Sequence, residues 1–155
     1  FIMTTIMSDV VRFGTATPAM QLKRQDLAGK TGTTNDQVDA WFTGFNPGLV
    51  AVSWIGFDQP RSLGGTETGA QAALPMWMGY MGRALKGVPE GETDVPEGVI
   101  SIKINPQNGL RVPEGAEGIP EYFYREGAPP DQKGSGEGFF GGGGRSSEEV
   151  KDQLF

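Results

Sequence analysis

Residues 1–13 carry Ile2, Ile6, Val10 and Phe13 on one helical stripe, the pattern of an amphipathic helix that buries those four side chains. Gly14 follows where a left-handed helix cap is expected. Residues 15–26, with Pro18 among them, read as a connection. Residues 27–34 read as a strand weakened by two glycines, and glycine inside a strand often marks a close approach by another backbone or a ligand. Residues 39–45 and 49–57 are rich in β-branched and aromatic side chains. Asn46-Pro47-Gly48 separates them, so a β-hairpin is predicted. The second run is nearly apolar throughout, as expected of a central strand covered on both faces. Three consecutive antiparallel strands result, with the glycine-rich one at the edge. Trp41, Phe42, Trp54 and Trp77 are expected in the core.

A Gly/Thr-rich loop, residues 63–69, leads to a second helix over about residues 70–86. Leu74, Met78, Met81 and Leu85 form its buried stripe with Trp77 beside it, and Pro75 requires the first turn or a kink. Helix, three-strand meander and helix define an α+β fold with an antiparallel sheet flanked by helices. After Lys86 the texture changes. Residues 91–126 read as a linker and small β-hairpin appendage. There Ile100, Ile102 and Ile104 alternate with Ser101 and Lys103, and Leu110 to Val112 pairs back. Tyr122, Phe123 and Tyr124 are expected to anchor this part. Residues 127–155, including the run Gly141 to Gly144, form a Gly-rich acidic tail that cannot bury enough to order itself. A short terminal helix capped by Ser146 or Ser147 is expected at its end.

Composition narrows the chemistry. The 155 residues include 25 glycines, 11 prolines, no histidine and no cysteine, with a formal net charge of −6. The acidic balance argues against nucleic acid, which is held by clustered Lys and Arg. Thiol nucleophiles, Cys or His zinc sites and His-based triads are excluded on this chain, and no metal or cofactor is expected. The start at Phe1, inside what reads as a helix, implies the C-terminal part of a longer protein. Any export signal or membrane anchor is then expected upstream.

Residues 30–36, Lys-Thr-Gly-Thr-Thr-Asn-Asp, place one cation and three hydroxyls on a bare strand, which suits an anionic substrate held close to the backbone. Gly29-Lys30-Thr31 also ends a P-loop signature, but the first glycine of that signature would fall at Arg24, and strand residues follow where a helix should. An isolated strand lysine is more often a solvated one. Asp36, Asp39 and Asp58 are better read as loop caps than as paired acid–base carboxylates, and Thr34 and Asn35 as turn formers. Glu67 and Thr68 lie in a loop that could border the cleft. No serine is followed three residues later by lysine, and no Ser-x-Asn occurs.

Lys-Thr-Gly is one of three signatures of penicillin-binding proteins and serine β-lactamases. The longer run Ala28 to Asp36, with Asp39 to Pro47, Trp54 to Asp58, Gly14-Thr15 and Glu67 to Trp77, resembles the class A, bifunctional penicillin-binding proteins. The resemblance covers about residues 1–90, read as the C-terminal part of a transpeptidase domain. It implies the serine β-lactamase/D,D-peptidase fold, incomplete here. It implies that Lys30 supplies positive charge near the nucleophile and the substrate carboxylate. Thr31 and Thr33 hydroxyls would bind that carboxylate, and Gly32 would keep the strand bare for the peptide. The Thr33 N–H would be one of two oxyanion-hole donors, worth about 3 kcal/mol in comparable sites. Lys30 and Thr33 are thus the catalytic candidates and Lys30, Thr31, Gly32 and Thr33 the substrate-binding ones.

The family further implies peptidoglycan stem peptides and β-lactams as ligands and serine acyl transfer as the reaction. It places the protein on the extracytoplasmic face of the inner membrane, with the nucleophile, a glycosyltransferase domain and the anchor upstream. On that reading the chain alone is inactive. A serine β-lactamase or β-lactam sensor, or a non-catalytic module binding peptidoglycan peptides, are the alternative readings.

Overall fold

The computed structural model describes residues 1–131, so the expected terminal helix and most of the Gly-rich tail lie outside the described residues. The described residues divide into two compact units, residues 1–101 with 122–127, and residues 102–121 with 128–131. In the first, helix α1 (Ile2–Arg12) and a short 3-10 turn (Thr17–Leu22) precede strand β1 (Ala28–Thr33). Strands β2 (Ala40–Asn46) and β3 (Leu49–Ile55) follow, then a π turn (Gly69–Ala73) running into helix α2 (Leu74–Ala84). The sheet has the order β1-β2-β3, antiparallel throughout, with Lys30 opposite Thr43 and Gly32 opposite Trp41. Among the described residues β1 and β3 are its two edges.

One face of the sheet carries the core. Phe42, Leu27, Leu74, Trp77, Met81 and Val11 are buried together, and the Trp77 ring meets Phe42 edge-on with centroids 4.9 Å apart. The Trp77 indole N–H donates to the carbonyls of Gly44 and Ala51, so the polar end of the largest core side chain is satisfied. Gly44 has to be glycine, since a Cβ there would lie 2.7 Å from Phe42 and against the indole. The α2 stripe is as expected, with Leu74, Trp77, Met81 and Leu85 buried and Met78 partly so. Pro75 sits at the start of α2, directly after the π turn.

Four expectations are corrected. Helix α1 turns Val11 into the core, while Ile6 and Phe13 of the expected stripe are exposed. Apolar side chains occur around most of this helix, so spacing alone did not select the face. Gly14 is not left-handed; it is required because a Cβ would stand 2.9 Å from Val10 Cα. Strand β3 is covered on one face only: Val50, Val52 and Trp54 project from the other, beside Trp41. Trp41 and Trp54 are therefore not core residues. Each is 42 % exposed, and the two rings pack on each other 5.9 Å apart on the open face.

Strand β4 (Val99–Ile104) forms a two-stranded sheet with β5 (Ile119–Tyr124), which takes in the Tyr122 to Tyr124 segment. Leu110 to Val112 pairs back on the end of β4 through the Asn105 and Val112 N–H groups, and Arg111 forms isolated bridges to Ile104 and to Asp131. Ile102 and Ile104 are buried and Ser101 and Lys103 exposed, as the alternation requires.

A polar node ties the segment after α2 to the start of β1. Arg24 pairs with Asp26 through two hydrogen bonds of 2.8 and 2.7 Å, and donates again to the carbonyls of Val88 and Pro89. Asp26 also accepts from Gly91 N–H and the Asn46 amide. Burial pushes the Asp26 carboxyl up, but the bonds from Arg24, Gly91 and Asn46 together outweigh it and hold the group below the ordinary carboxylate range.

Candidate functional site

Side chains on a strand alternate between faces. Thr31 and Thr33 therefore share the covered face with Phe42, which is opposite Thr31, while Lys30 shares the open face with Thr43. The cation and the two hydroxyls thus lie on opposite sides of one ribbon. Lys30 is exposed, and its Nζ curls round to donate to the Thr31 carbonyl at 3.0 Å.

Backbone amides alternate too. The Thr34 N–H donates toward β2, to the Asp39 carbonyl at 3.1 Å. The Thr33 N–H, one residue earlier, therefore points away from β2 into the open edge. An unpaired N–H on an edge strand is a donor for an incoming chain or a developing oxyanion.

Both hydroxyls already have partners. Thr31 Oγ1 lies 2.9 Å from Thr15 Oγ1, and Thr33 Oγ1 accepts from the Gly69 N–H at 3.0 Å. The close approach that glycine in β1 foreshadows is made by Gly69. Its backbone lies flat on the β1–β2 ladder, where a Cβ would run into the carbonyl oxygens of Trp41 and Gly32. Gly32 itself has a looser requirement, since a Cβ there would meet Trp41 Cβ at 3.2 Å.

Residues of the neighbouring loops serve structure. Asp39 accepts from the Trp54 indole N–H at 2.8 Å. Glu67 accepts from its neighbour Thr66, and Thr68 caps the π turn by accepting from Gln71 N–H. Asp36 adopts a positive φ of 56° in the turn between β1 and β2. Sequence reasoning missed Thr15 and Gly69 as partners of the two threonines, because each pairing joins segments far apart in the chain. Arg24 and Asp26 are only two residues apart, and what sequence reasoning missed is that their node reaches Val88, Pro89 and Gly91.

No protein-family model matches the chain. Among solved structures, the crystal structure of penicillin-binding protein 1A from Haemophilus influenzae superposes with a TM-score of 0.76 at 36 % identity, over 81 % of this chain and 20 % of that one. Fold and Lys-Thr-Gly edge strand together define part of a penicillin-binding domain. The chain is also 47 % identical over 131 residues to penicillin-binding protein 1A of Pseudomonas aeruginosa, covering 84 % of this chain and 16 % of that protein. It is 54 % identical over 101 residues to penicillin-binding protein 1A of Neisseria flavescens, covering 65 % of this chain and 13 % of that protein. The chain belongs to the class A penicillin-binding proteins, within which it corresponds to the C-terminal part of the transpeptidase domain. It spans less than a fifth of the length of these curated relatives. Among the described residues no helix is long and apolar enough to cross a membrane.

Proposed function

We propose that this chain supplies the substrate-binding edge strand of a serine D,D-transpeptidase that cross-links peptidoglycan stem peptides on the extracytoplasmic face of the inner membrane. Residues 1–90 serve the transpeptidase domain, residues 91–126 form an appendage, and residues 127–155 a tail. The observation that carries this reading is the edge strand β1, which carries an exposed ammonium, two hydroxyls and an outward-facing Thr33 N–H.

The chemistry follows from what each group can do. The terminal carboxylate of a D-Ala-D-Ala stem accepts hydrogen bonds from Thr31 and Thr33, and Lys30 adds charge. The peptide lies along β1 as an added strand, which aligns the scissile carbonyl with the Thr33 N–H. A serine contributed by the rest of the domain attacks that carbonyl and gives its proton to a base there. The tetrahedral oxyanion is held in part by Thr33 N–H, and it collapses as the C–N bond breaks and D-Ala leaves protonated. An amine of a neighbouring stem peptide then attacks the acyl-enzyme, forming the cross-link and regenerating the serine. A β-lactam enters by the same carboxylate contact, but its opened ring stays attached.

Fluorescent penicillin tests this directly. The complete protein carrying this segment gives a labelled band on a denaturing gel, whereas this chain alone, with no Ser-x-x-Lys, gives none. An unlabelled complete protein, or a labelled isolated chain, contradicts the reading.

A further inference from the structure

The two threonines of the site are not free rotors. A hydroxyl has one proton to donate and two lone pairs to accept with. Gly69 N–H can only donate, so Thr33 Oγ1 is the acceptor in that bond and its proton remains available. Gly69 cannot drift, because its backbone is pressed onto Trp41 and Gly32, and the π turn behind it is capped by Thr68. Thr15 is fixed from both flanks. Buried Ala16 donates its N–H to the Val10 carbonyl, and the Thr17 hydroxyl donates to the Gly14 carbonyl at 2.6 Å.

Between Thr15 and Thr31 either hydroxyl can donate. A carboxylate only accepts, so its arrival selects the arrangement in which Thr15 donates to Thr31 and Thr31 donates outward. We propose that Thr15 is a positioning residue which, with the Gly69 peptide, turns the Thr31 and Thr33 protons toward the ligand and so sets the site's preference for a free carboxylate. This rests on the function proposed above. With a lone pair on each hydroxyl already used inward, the pair presents donors to the ligand. A carboxamide, whose NH2 group must donate, is disfavoured against an acceptor-only carboxylate.

The test uses the complete protein and second-order acylation rates with benzylpenicillin and with its carboxamide, whose ratio reads carboxylate preference. Thr15→Val lowers that ratio about fivefold, the worth of one hydrogen bond, with an unchanged thermal midpoint, and Thr15→Ser keeps the wild-type ratio. Thr15→Ala gives the same readout if the valine variant does not fold. A wild-type ratio in Thr15→Val, or an equal loss in Thr15→Ser, overturns the role of the Thr15 hydroxyl. Thr31→Val separates the two levels of the argument. If it lowers the ratio while Thr15→Val does not, only the positioning role fails; if it leaves the ratio unchanged, the carboxylate reading of the site fails as well.

Discussion

Replacing Lys30 by Ala in the complete protein lowers the rate of penicillin acylation about 100- to 1,000-fold, the loss seen when one group stabilising a developing charge is removed. Folding stability stays within about 0.5 kcal/mol, as for a surface substitution away from any special feature. The contrast is what makes the experiment informative. Lys30 is exposed, and among the described residues its side chain donates only to the carbonyl of its own neighbour, Thr31. Nothing in the packing of the sheet depends on it. A stopped-flow acylation trace beside a thermal melt on the same preparation gives both numbers. Loss of stability in parallel with activity would make Lys30 a structural residue and remove it from the site.

The second large effect is on stability. Asp26→Asn removes the charge that pairs with Arg24, although the side chains of the pair are only 3 % and 11 % exposed. Breaking a buried pair from one side leaves the partner's charge uncompensated, and the expected cost is about 3 kcal/mol. It also loosens the contacts of Gly91 and Asn46 with the start of β1. The pH dependence has a definite sign. The Asp26 carboxyl is held below its ordinary value in the folded protein, so its contribution is fully present above the unfolded value of about 4. It is lost as pH falls through the lower, folded value. Denaturant midpoints of wild type and variant should therefore differ most near neutrality and converge in acid. A gap that widens in acid, or no gap at neutral pH, contradicts this account of the node.

How much of this was readable beforehand depends on whether the signal was local. The β2–β3 hairpin was legible because Asn46-Pro47-Gly48 can hardly be anything but a turn and the flanking runs favour strands. Helix α2 was legible because Leu74, Met78, Met81 and Leu85 lie on one narrow stripe with Trp77 beside it. The π turn that runs into it was not, since Gly69 at its start sits against Gly32 and Trp41, far away in the chain. The α1 face was misread because Ile2, Ile6 and Phe13 compete with Val11, and only the packing of the sheet decides among them. Strand β3 was read as covered on both faces because its outward residues, Val50, Val52 and Trp54, are apolar. The described residues cover only one of those faces.

The site shows the same division. Lys30 to Thr33 stand out as candidates because cation, glycine and hydroxyls are adjacent. That the ammonium and the hydroxyls lie on opposite faces follows from strand alternation once β1 is paired with β2. Thr15, Gly69 and the Arg24–Asp26 node could not be picked out as partners. Apart from the Arg24–Asp26 pair itself, which is two positions apart, their contacts join residues 16, 36 and up to 65 positions apart, and no local spacing encodes those.

The most direct measurement is a crystal structure of the complete protein acylated by benzylpenicillin. The account predicts the penicillin carboxylate at the free edge of β1, its oxygens about 2.7–3.0 Å from the Thr31 and Thr33 hydroxyls, with the Lys30 ammonium beside them. A carboxylate bound away from β1, or a β1 edge occupied by another strand of the protein, would contradict it.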